Sequence, residues 1–287
     1  FCLFDDSNFF CNLFCMPELP EVETVRIFLK NNVIQKKTIS VKIEDKNLRF
    51  QISKEIPEKL NFQMITKILR RGKFLIFLYS NNYSLLLHLG MTGYFRLSKT
   101  YEKIKHDHIR FNFNDKVLVY NDIRKFGFLK LYTNENVFES QHLNSLGPDA
   151  LNFKFSVNYF LKHKKRKTNI KNLLMNQSFV SGLGNIYCSE ILFDSRVSPS
   201  RAVSSLKKFE IVNIIKSTKK ILKKAIEMGG TTIKNFIVSD EKIGYFKNKL
   251  LVYGRESSVC IRCKGENYVK KAKHSGRSSF FCSTCQL

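Results

Sequence analysis

Met16-Pro17-Glu18-Leu19-Pro20-Glu21-Val22-Glu23-Thr24 gathers two prolines and three glutamates at the head of an apolar-periodic segment. Val22, Val25, Phe28 and Leu29 recur at helical spacing, predicting one amphipathic helix from Glu18 to about Asn31. Proline suits a first helical turn because its missing N–H has no intrahelical partner there, and glutamates favour the positive end of the helix dipole. An acidic helix start therefore accounts for the stretch locally. A second reading applies if translation begins at Met16 and the methionine is removed. Pro17 then carries a free secondary amine, with the Glu18 carboxyl beside it. Such an amine can attack an aldehyde-like sugar carbon and form an iminium, as catalytic lysines do with carbonyls.

Upstream, residues 1–15 (FCLFDDSNFFCNLFC) follow no periodic pattern and have no basic leading region. They are expected to be an extension absent from the mature protein. Downstream the pattern changes to short runs rich in β-branched and aromatic residues: Thr38–Ile43, Ile65–Leu69, Phe74–Tyr79, Ser84–Leu89, Ile109–Phe113, Val117–Tyr120 and Phe128–Tyr132. Short strands separated by turn residues predict an antiparallel sandwich rather than a βαβ sheet. Leu146-Gly147-Pro148-Asp149 marks a break. Helical periodicity follows near Val157–His163, Ile170–Met175, Ile186–Phe193 and Leu206–Glu227, and Met228-Gly229-Gly230 closes the last. The expected class is an α+β multidomain chain with a catalytic β-sandwich over 17–146 and a helical DNA-binding domain over 147–250. A zinc finger is expected over 251–287, a stretch too small to fold on an apolar core alone.

Lys+Arg number 49 against 24 Asp+Glu, a net charge of +25. That excess points to a polyanionic partner. Nucleic acid is favoured over a membrane surface, since no basic amphipathic helix with an aromatic apolar face is evident. No run of about 18 uncharged apolar residues appears either. Four of the eight cysteines lie near the C-terminus, which is not the layout of a disulfide framework.

Cys260-Ile261-Arg262-Cys263 and Cys282-Ser283-Thr284-Cys285 form two C-x-x-C pairs at the spacing of a four-cysteine zinc site. Each two-residue spacer lets both thiolates reach one tetrahedral ion, and four ligands leave no open position, so one structural Zn2+ is expected. The loop between the pairs carries Lys270, Lys271, Lys273, His274 and Arg277. Lys164-Lys165-Arg166-Lys167-Thr168 is a cationic run, either solvated or phosphate-facing. Val180-Ser181-Gly182-Leu183-Gly184-Asn185-Ile186-Tyr187 reads as tight turns before a helix, with Asn185 able to cap it and the glycines allowing close backbone approach to a phosphate. His88-Leu89-Gly90-Met91-Thr92-Gly93 and Asp122-Ile123-Arg124-Lys125-Phe126-Gly127 sit at strand ends. Met91 and Phe126 fit a core, yet on glycine-flanked loops with Arg124 they also fit a wedge that plugs a duplex once a base leaves the stack. Lys73, in Arg70-Arg71-Gly72-Lys73-Phe74, stands at a strand start, where an ammonium can bind phosphate or move a proton.

In these residues the chain resembles the formamidopyrimidine-DNA glycosylases, from Met16 to about Gln286. The start, the Gly-Leu-Gly-Asn-Ile-Tyr turn and the zinc finger occur in that family's order. The resemblance implies a β-sandwich with an N-terminal helix, a helix–two-turn–helix domain and a zinc-finger hairpin, with double-stranded damaged DNA between the halves. It implies Pro17 as the nucleophile on C1′ of an oxidised purine nucleotide, Glu18 as the acid on the sugar ring oxygen, and Glu21 as a residue orienting both. Lys73 and Arg277 match the proton donors of the β- and δ-eliminations that follow. His106, Arg124, Arg166, Lys167 and Asn185 match phosphate-contacting positions. Met91, Arg124 and Phe126 match the void-filling group. Monomeric action, in the cytoplasm at the nucleoid for a bacterial type or in an organelle, is also implied.

The sequence departs from the family pattern at Ile123 and Lys125, where Pro and a second Arg are usual, and at Glu241 and Ile243 in the loop that covers the extruded base. Two other readings remain. One is a non-catalytic zinc-finger DNA-binding protein, if residues 1–16 are retained and the Pro17 nitrogen stays an amide. The other is an oxidised-pyrimidine glycosylase of the endonuclease VIII type, whose Pro-Glu-Gly-Pro start differs from Glu18-Leu19-Pro20-Glu21.

Overall fold

The computed structural model describes residues 16–231, 245–263, 265 and 267–287. The upstream segment 1–15 and the positions Glu241 and Ile243 lie outside the described residues. The first element is the expected helix, α1 (Leu19–Val33), with Pro20 in its first turn. Its apolar stripe, Val22, Val25, Leu29 and Val33, is buried against the sheets that follow. Next come β1 (Ser40–Ile43), α2 (Glu55–Leu60), β2 (Ile65–Arg71), β3 (Phe74–Tyr79), β4 (Tyr83–His88), β5 (Tyr94–Ser98), β6 (Asp107–Asn112), β7 (Val117–Asn121) and β8 (Phe128–Thr133). They form two four-stranded antiparallel sheets, ordered β1-β6-β7-β5 and β2-β3-β4-β8. Inward residues of both, including Leu75, Phe77, Leu85, Phe95, Phe111 and Leu118, share one core with α1 and α2. The expected antiparallel sandwich is the observed one.

Two elements of the sandwich escaped the sequence pattern. β5 is five residues long and offers only two core-facing apolar side chains, Phe95 and Leu97, on either side of Arg96. In the fold these two face the sandwich core, while Arg96 is buried on the opposite face and ion-pairs with Asp107 at 2.6 Å. α2 is only six residues long and contains Pro57, too short for a helical period, yet it buries Ile56 and Leu60.

The second half contains α3 (Gln141–Asn144), α4 (Val157–Lys162), α5 (Ile170–Met175), α6 (Asn185–Asp194) and α7 (Lys208–Glu227). α7 starts two residues later than the periodicity implied, because Leu206 and Lys207 are extended and the Glu210 carboxylate takes the Lys207 N–H at 2.7 Å. α7 packs on α6, α1 and α4 around a second core. Leu19 of α1 belongs to that core rather than to the sandwich, so the first turn of α1 is shared between the two halves. The chain ends in the hairpin β9 (Lys270–His274) and β10 (Arg277–Phe281), with a small core of Val252, Val269 and Phe280 against Phe193. Among the described residues no helix is long and apolar enough to cross a membrane.

Candidate active site and nucleic-acid interface

The carboxylate of Glu18 is the hinge of the molecule. It leaves its own helix and caps another 168 residues away, accepting the N–H of Ile186 at 2.9 Å and of Tyr187 at 3.4 Å at the start of α6. Asn185, expected as that cap, is instead the first helical residue, and its Oδ1 is buried without a hydrogen-bond partner. The glycine pair explains the exchange. A Cβ on Gly184 would lie 2.4 Å from the Glu18 carboxyl carbon, and one on Gly182 (φ +103°) would strike Leu19. Gly182 also accepts the Leu19 N–H at 2.9 Å. These glycines admit the N-terminal stretch of the chain itself.

Burial pushes the Glu18 carboxyl up to about 7, against the pull of the Lys73 ammonium and the two amide donors. A carboxyl balanced near neutrality can give a proton and take it back. Glu21, also buried, stands behind it. One oxygen accepts the Glu18 backbone N–H at 3.0 Å. The other accepts the Tyr187 hydroxyl at 2.7 Å and the N–H and hydroxyl of Thr231 at 2.8 and 3.0 Å. The backbone next to Pro17 is therefore fixed from both halves of the protein.

Lys73 follows Gly72 at the β2–β3 turn. Asp149 clasps that turn, accepting Gly72 N–H at 3.0 Å and pairing with Arg70 at 2.6 Å. Arg277 follows the two-residue turn Ser275-Gly276, both at positive φ, a geometry that suits a tight hairpin. Burial pushes up the Cys188 thiol, one turn into α6, and Glu18 adds to that effect while the cations Lys171, Lys73 and Arg277 pull against it. Glu18 and Glu21 thus meet at the N-terminal end of α6, and the Lys73 ammonium is near enough to Glu18 to favour its charged form.

A second cluster forms around Asp122, which is fully buried. Its carboxylate accepts the Thr92 hydroxyl, the Gly127 N–H at 2.8 Å and the Arg124 N–H at 3.3 Å. Its own N–H is bonded to the His106 carbonyl. One buried acid therefore ties together the loops that carry Met91, His106, Arg124 and Phe126. Phe126 is 45% exposed and Met91 half-buried, so neither is core, and the Arg124 guanidinium lies 4.9 Å over the Phe126 ring. Lys125 is held by Asp45 at 2.8 Å. Arg166 and Lys167 are exposed in the turn between α4 and α5, with no hydrogen bond or ion pair to either cluster among the described residues.

The four cysteine sulfurs lie within 4.8 Å of one another, with Cys260–Cys285 at 3.8 Å and Cys263–Cys282 at 3.6 Å. Tetrahedral zinc with Zn–S near 2.3 Å sets sulfurs about 3.8 Å apart, so the set fits one structural Zn2+.

The chain matches the model of the formamidopyrimidine-DNA glycosylase N-terminal domain over residues 16–129 and that of the family's H2TH domain over 146–237. It is 42% identical to the formamidopyrimidine-DNA glycosylase of Rickettsia felis over 275 residues, covering 94% of this chain and 98% of that protein. The chain belongs to the formamidopyrimidine-DNA glycosylase family. The Rickettsia massiliae protein of the same name is 41% identical, at 94% and 97% coverage. Among solved structures, the wild-type Lactococcus lactis enzyme bound to DNA containing N7-benzyl-Fapy-dG superposes with TM-score 0.87 at 34% identity, covering 94% of this chain and 100% of that one. Antiparallel sheets, the H2TH helices and the C-terminal cysteine cluster together make up the fold of this glycosylase family.

Several residues that build the site carried no role in the sequence. Asp122, Asp149 and Tyr187 lay inside quoted motifs without an assignment, and Thr231 had no local signal. Lys171 is the least foreseeable. Its ammonium is buried and donates to the Ser278 carbonyl at 2.8 Å and the Ser279 hydroxyl at 2.6 Å, pinning the hairpin that bears Arg277 to α5.

Proposed function

We propose that this chain excises oxidised purines, 8-oxoguanine and formamidopyrimidines, from double-stranded DNA and then cleaves the abasic site. The observation that carries the reading is a buried Glu18 carboxyl, poised near pH 7, directly after Pro17 and at the N-terminus of α6. The free Pro17 amine attacks C1′ of the damaged nucleotide as the base leaves. Glu18 protonates the sugar ring oxygen, which opens the ring and leaves an iminium. The iminium makes the C2′ proton acidic. Its loss expels the 3′-phosphate in β-elimination, with Lys73 as proton donor, and δ-elimination expels the 5′-phosphate, with Arg277 as donor. Glu21 holds the Pro17–Glu18 backbone. Residues 17–146 supply the nucleophile and wedge, 147–250 the helical DNA-binding part, and 251–287 the zinc hairpin.

Arg124, Met91 and Phe126 fill the space vacated by the extruded nucleotide, and His106, Arg166, Lys167 and Asn185 hold the backbone. Phosphate contacts of this kind give affinity that falls steeply with salt. Lesion choice follows from which base leaves the stack at least cost. The protein acts as a monomer in the cytoplasm, at the nucleoid.

Borohydride trapping on a duplex with 8-oxoguanine opposite cytosine tests this directly. Protein beginning at Pro17 is expected to form a covalent adduct, and Pro17→Gly at least tenfold less. Protein retaining Met16 is expected to form none, because an acylated proline nitrogen is not nucleophilic. Absence of adduct from the Pro17-starting protein defeats the enzyme reading and favours a DNA-binding protein without catalysis.

Asp122→Asn separates recognition from chemistry. The amide turns an N–H toward one of the donors the carboxylate now satisfies, which costs about 1–3 kcal/mol and loosens both wedge loops. Excision of 8-oxoguanine from its pair with cytosine is expected to fall about tenfold or more. Cleavage of a preformed abasic site is expected to change less than about threefold, since no base need be displaced. Equal losses in the two assays would contradict this division.

A further inference from the structure

Beside the wedge loops lies a patch on the outer face of the β2-β3-β4-β8 sheet that the mechanism above leaves unused. Phe128 and Lys130 share that face because side chains alternate along β8, and Phe128 pairs in register with His88 of β4, which pairs with Phe74 of β3. The rings form a continuous floor: Phe74–His88 at 4.9 Å, His88–Phe128 at 5.9 Å, Phe128–His142 at 4.7 Å and Phe50–Phe128 at 5.4 Å between centroids. Its rim is cationic. Lys130 Nζ lies 3.1 Å from His142 Nε2 and 4.1 Å over the Phe50 ring, and the Arg49 guanidinium stands 5.9 Å over the same ring.

The rim is also uncompensated. Arg26, Arg70, Arg96, Arg110, Lys36 and Lys125 each have a carboxylate partner, whereas Arg49 and Lys130 have none among the described residues. Burial lowers His88 to about 4, with Lys73, Arg49 and His142 adding to the effect, and burial, Lys130 and Arg49 lower His142. Like charges gathered without an acid are stabilised by an incoming anion.

Location supplies the anion. Arg49 N–H bonds to the Gly127 carbonyl at 3.2 Å, which attaches the patch to the loop bearing Arg124 and Phe126. At its other side His88 feels Lys73. We propose that Arg49 and Lys130 form a further binding site for one phosphodiester group of the DNA backbone, with His142 orienting the ammonium and Phe50 as the platform between the two cations. The proposal rests on the reading of the chain as a DNA-binding glycosylase.

The test uses full-length protein beginning at Pro17 and a duplex with a tetrahydrofuran abasic analogue, titrated at several salt concentrations. The Arg49→Gln/Lys130→Gln double variant is expected to raise Kd about tenfold at low salt and to reduce the salt slope by about 0.9, the value for one phosphate contact. Lys130→Arg, which keeps the charge, is expected to bind within about twofold of wild type. Neutral methylphosphonates placed one at a time along both strands locate the group. One position is expected to weaken wild type about tenfold and to leave the double variant unaffected. A double variant with unchanged Kd and slope overturns the site, as does a loss spread evenly over all phosphate positions. Wild type that binds this duplex with that position-specific pattern, yet gives no borohydride adduct on the 8-oxoguanine duplex, would defeat the glycosylase reading while supporting the phosphate site.

Discussion

Replacing Glu18 by Gln is expected to remove base excision almost entirely while making the protein more stable above neutral pH. The amide occupies the same volume and keeps an oxygen for the α6 N-terminus, but it has no proton to give the sugar. A positioned general acid contributes about 10²- to 10⁴-fold, which sets the expected loss in the single-turnover rate. The stability change follows from the same burial. The folded carboxyl titrates near 7 and an unfolded one near 4.5. Between these values the folded state binds the proton and the unfolded state does not, so wild-type stability declines as pH rises from about 4.5 to about 7. The variant lacks that decline. At pH 8 it is expected to exceed wild type by about 3 kcal/mol, seen as a higher Tm, and the difference should vanish near pH 4. Wild-type excision should fall as pH rises past about 7, since the acid form is consumed, and the residual activity of the variant should show no such limb. A variant with wild-type excision, or with lower Tm at pH 8, would remove Glu18 from the role of buried acid.

Removing zinc is the second large expected effect. The hairpin of β9 and β10 owns only a handful of apolar side chains, and two of the six buried members of its core are the ligands Cys260 and Cys282. A segment of this kind folds on its metal, and zinc binding supplies about 10 kcal/mol or more of its folding free energy. Cys260→Ser is expected to lose the ion, measurable by metal analysis, and to raise Kd for abasic duplex at least about tenfold. The helical half should stay folded, because its core of Ile186, Ile191, Ile214 and Leu222 is separate. Arg277 would then no longer be held at the site by the Ser275-Gly276 turn and by the Lys171 bonds to Ser278 and Ser279. Strand cleavage should stop at the β-elimination product while Schiff-base trapping persists. Full DNA affinity without zinc, or unchanged δ-product, would contradict this.

The two effects differ in how far sequence could anticipate them. The cysteine pairs were legible because metal ligation is a local code: two thiolates two residues apart reach one ion, and the spacing alone names it. Most strands were legible too, because alternation is local, and β3 and α5 fall at the boundaries the pattern gave. β5 was hidden because it has only two inward apolar residues, Phe95 and Leu97, and the partner that lets Arg96 be buried, Asp107, is on another strand. The wedge loops could be named from Met91, Arg124 and Phe126, but not their common support, since Asp122 acts through three donors that only the folded loops bring together.

The opening stretch divides along the same line. Sequence by itself determined that Pro17 and Glu18 precede an amphipathic helix, that a four-cysteine site closes the chain, and that the whole is strongly cationic. These are properties of neighbours in the chain and of composition. Tertiary structure alone decided that Glu18, and not Asn185, caps α6, that Gly184 is small to admit that carboxylate, and that Tyr187 and Thr231 hold Glu21. Each of those contacts joins residues more than 160 positions apart, and the burial that moves the Glu18 carboxyl toward 7 exists only once both halves have closed on it.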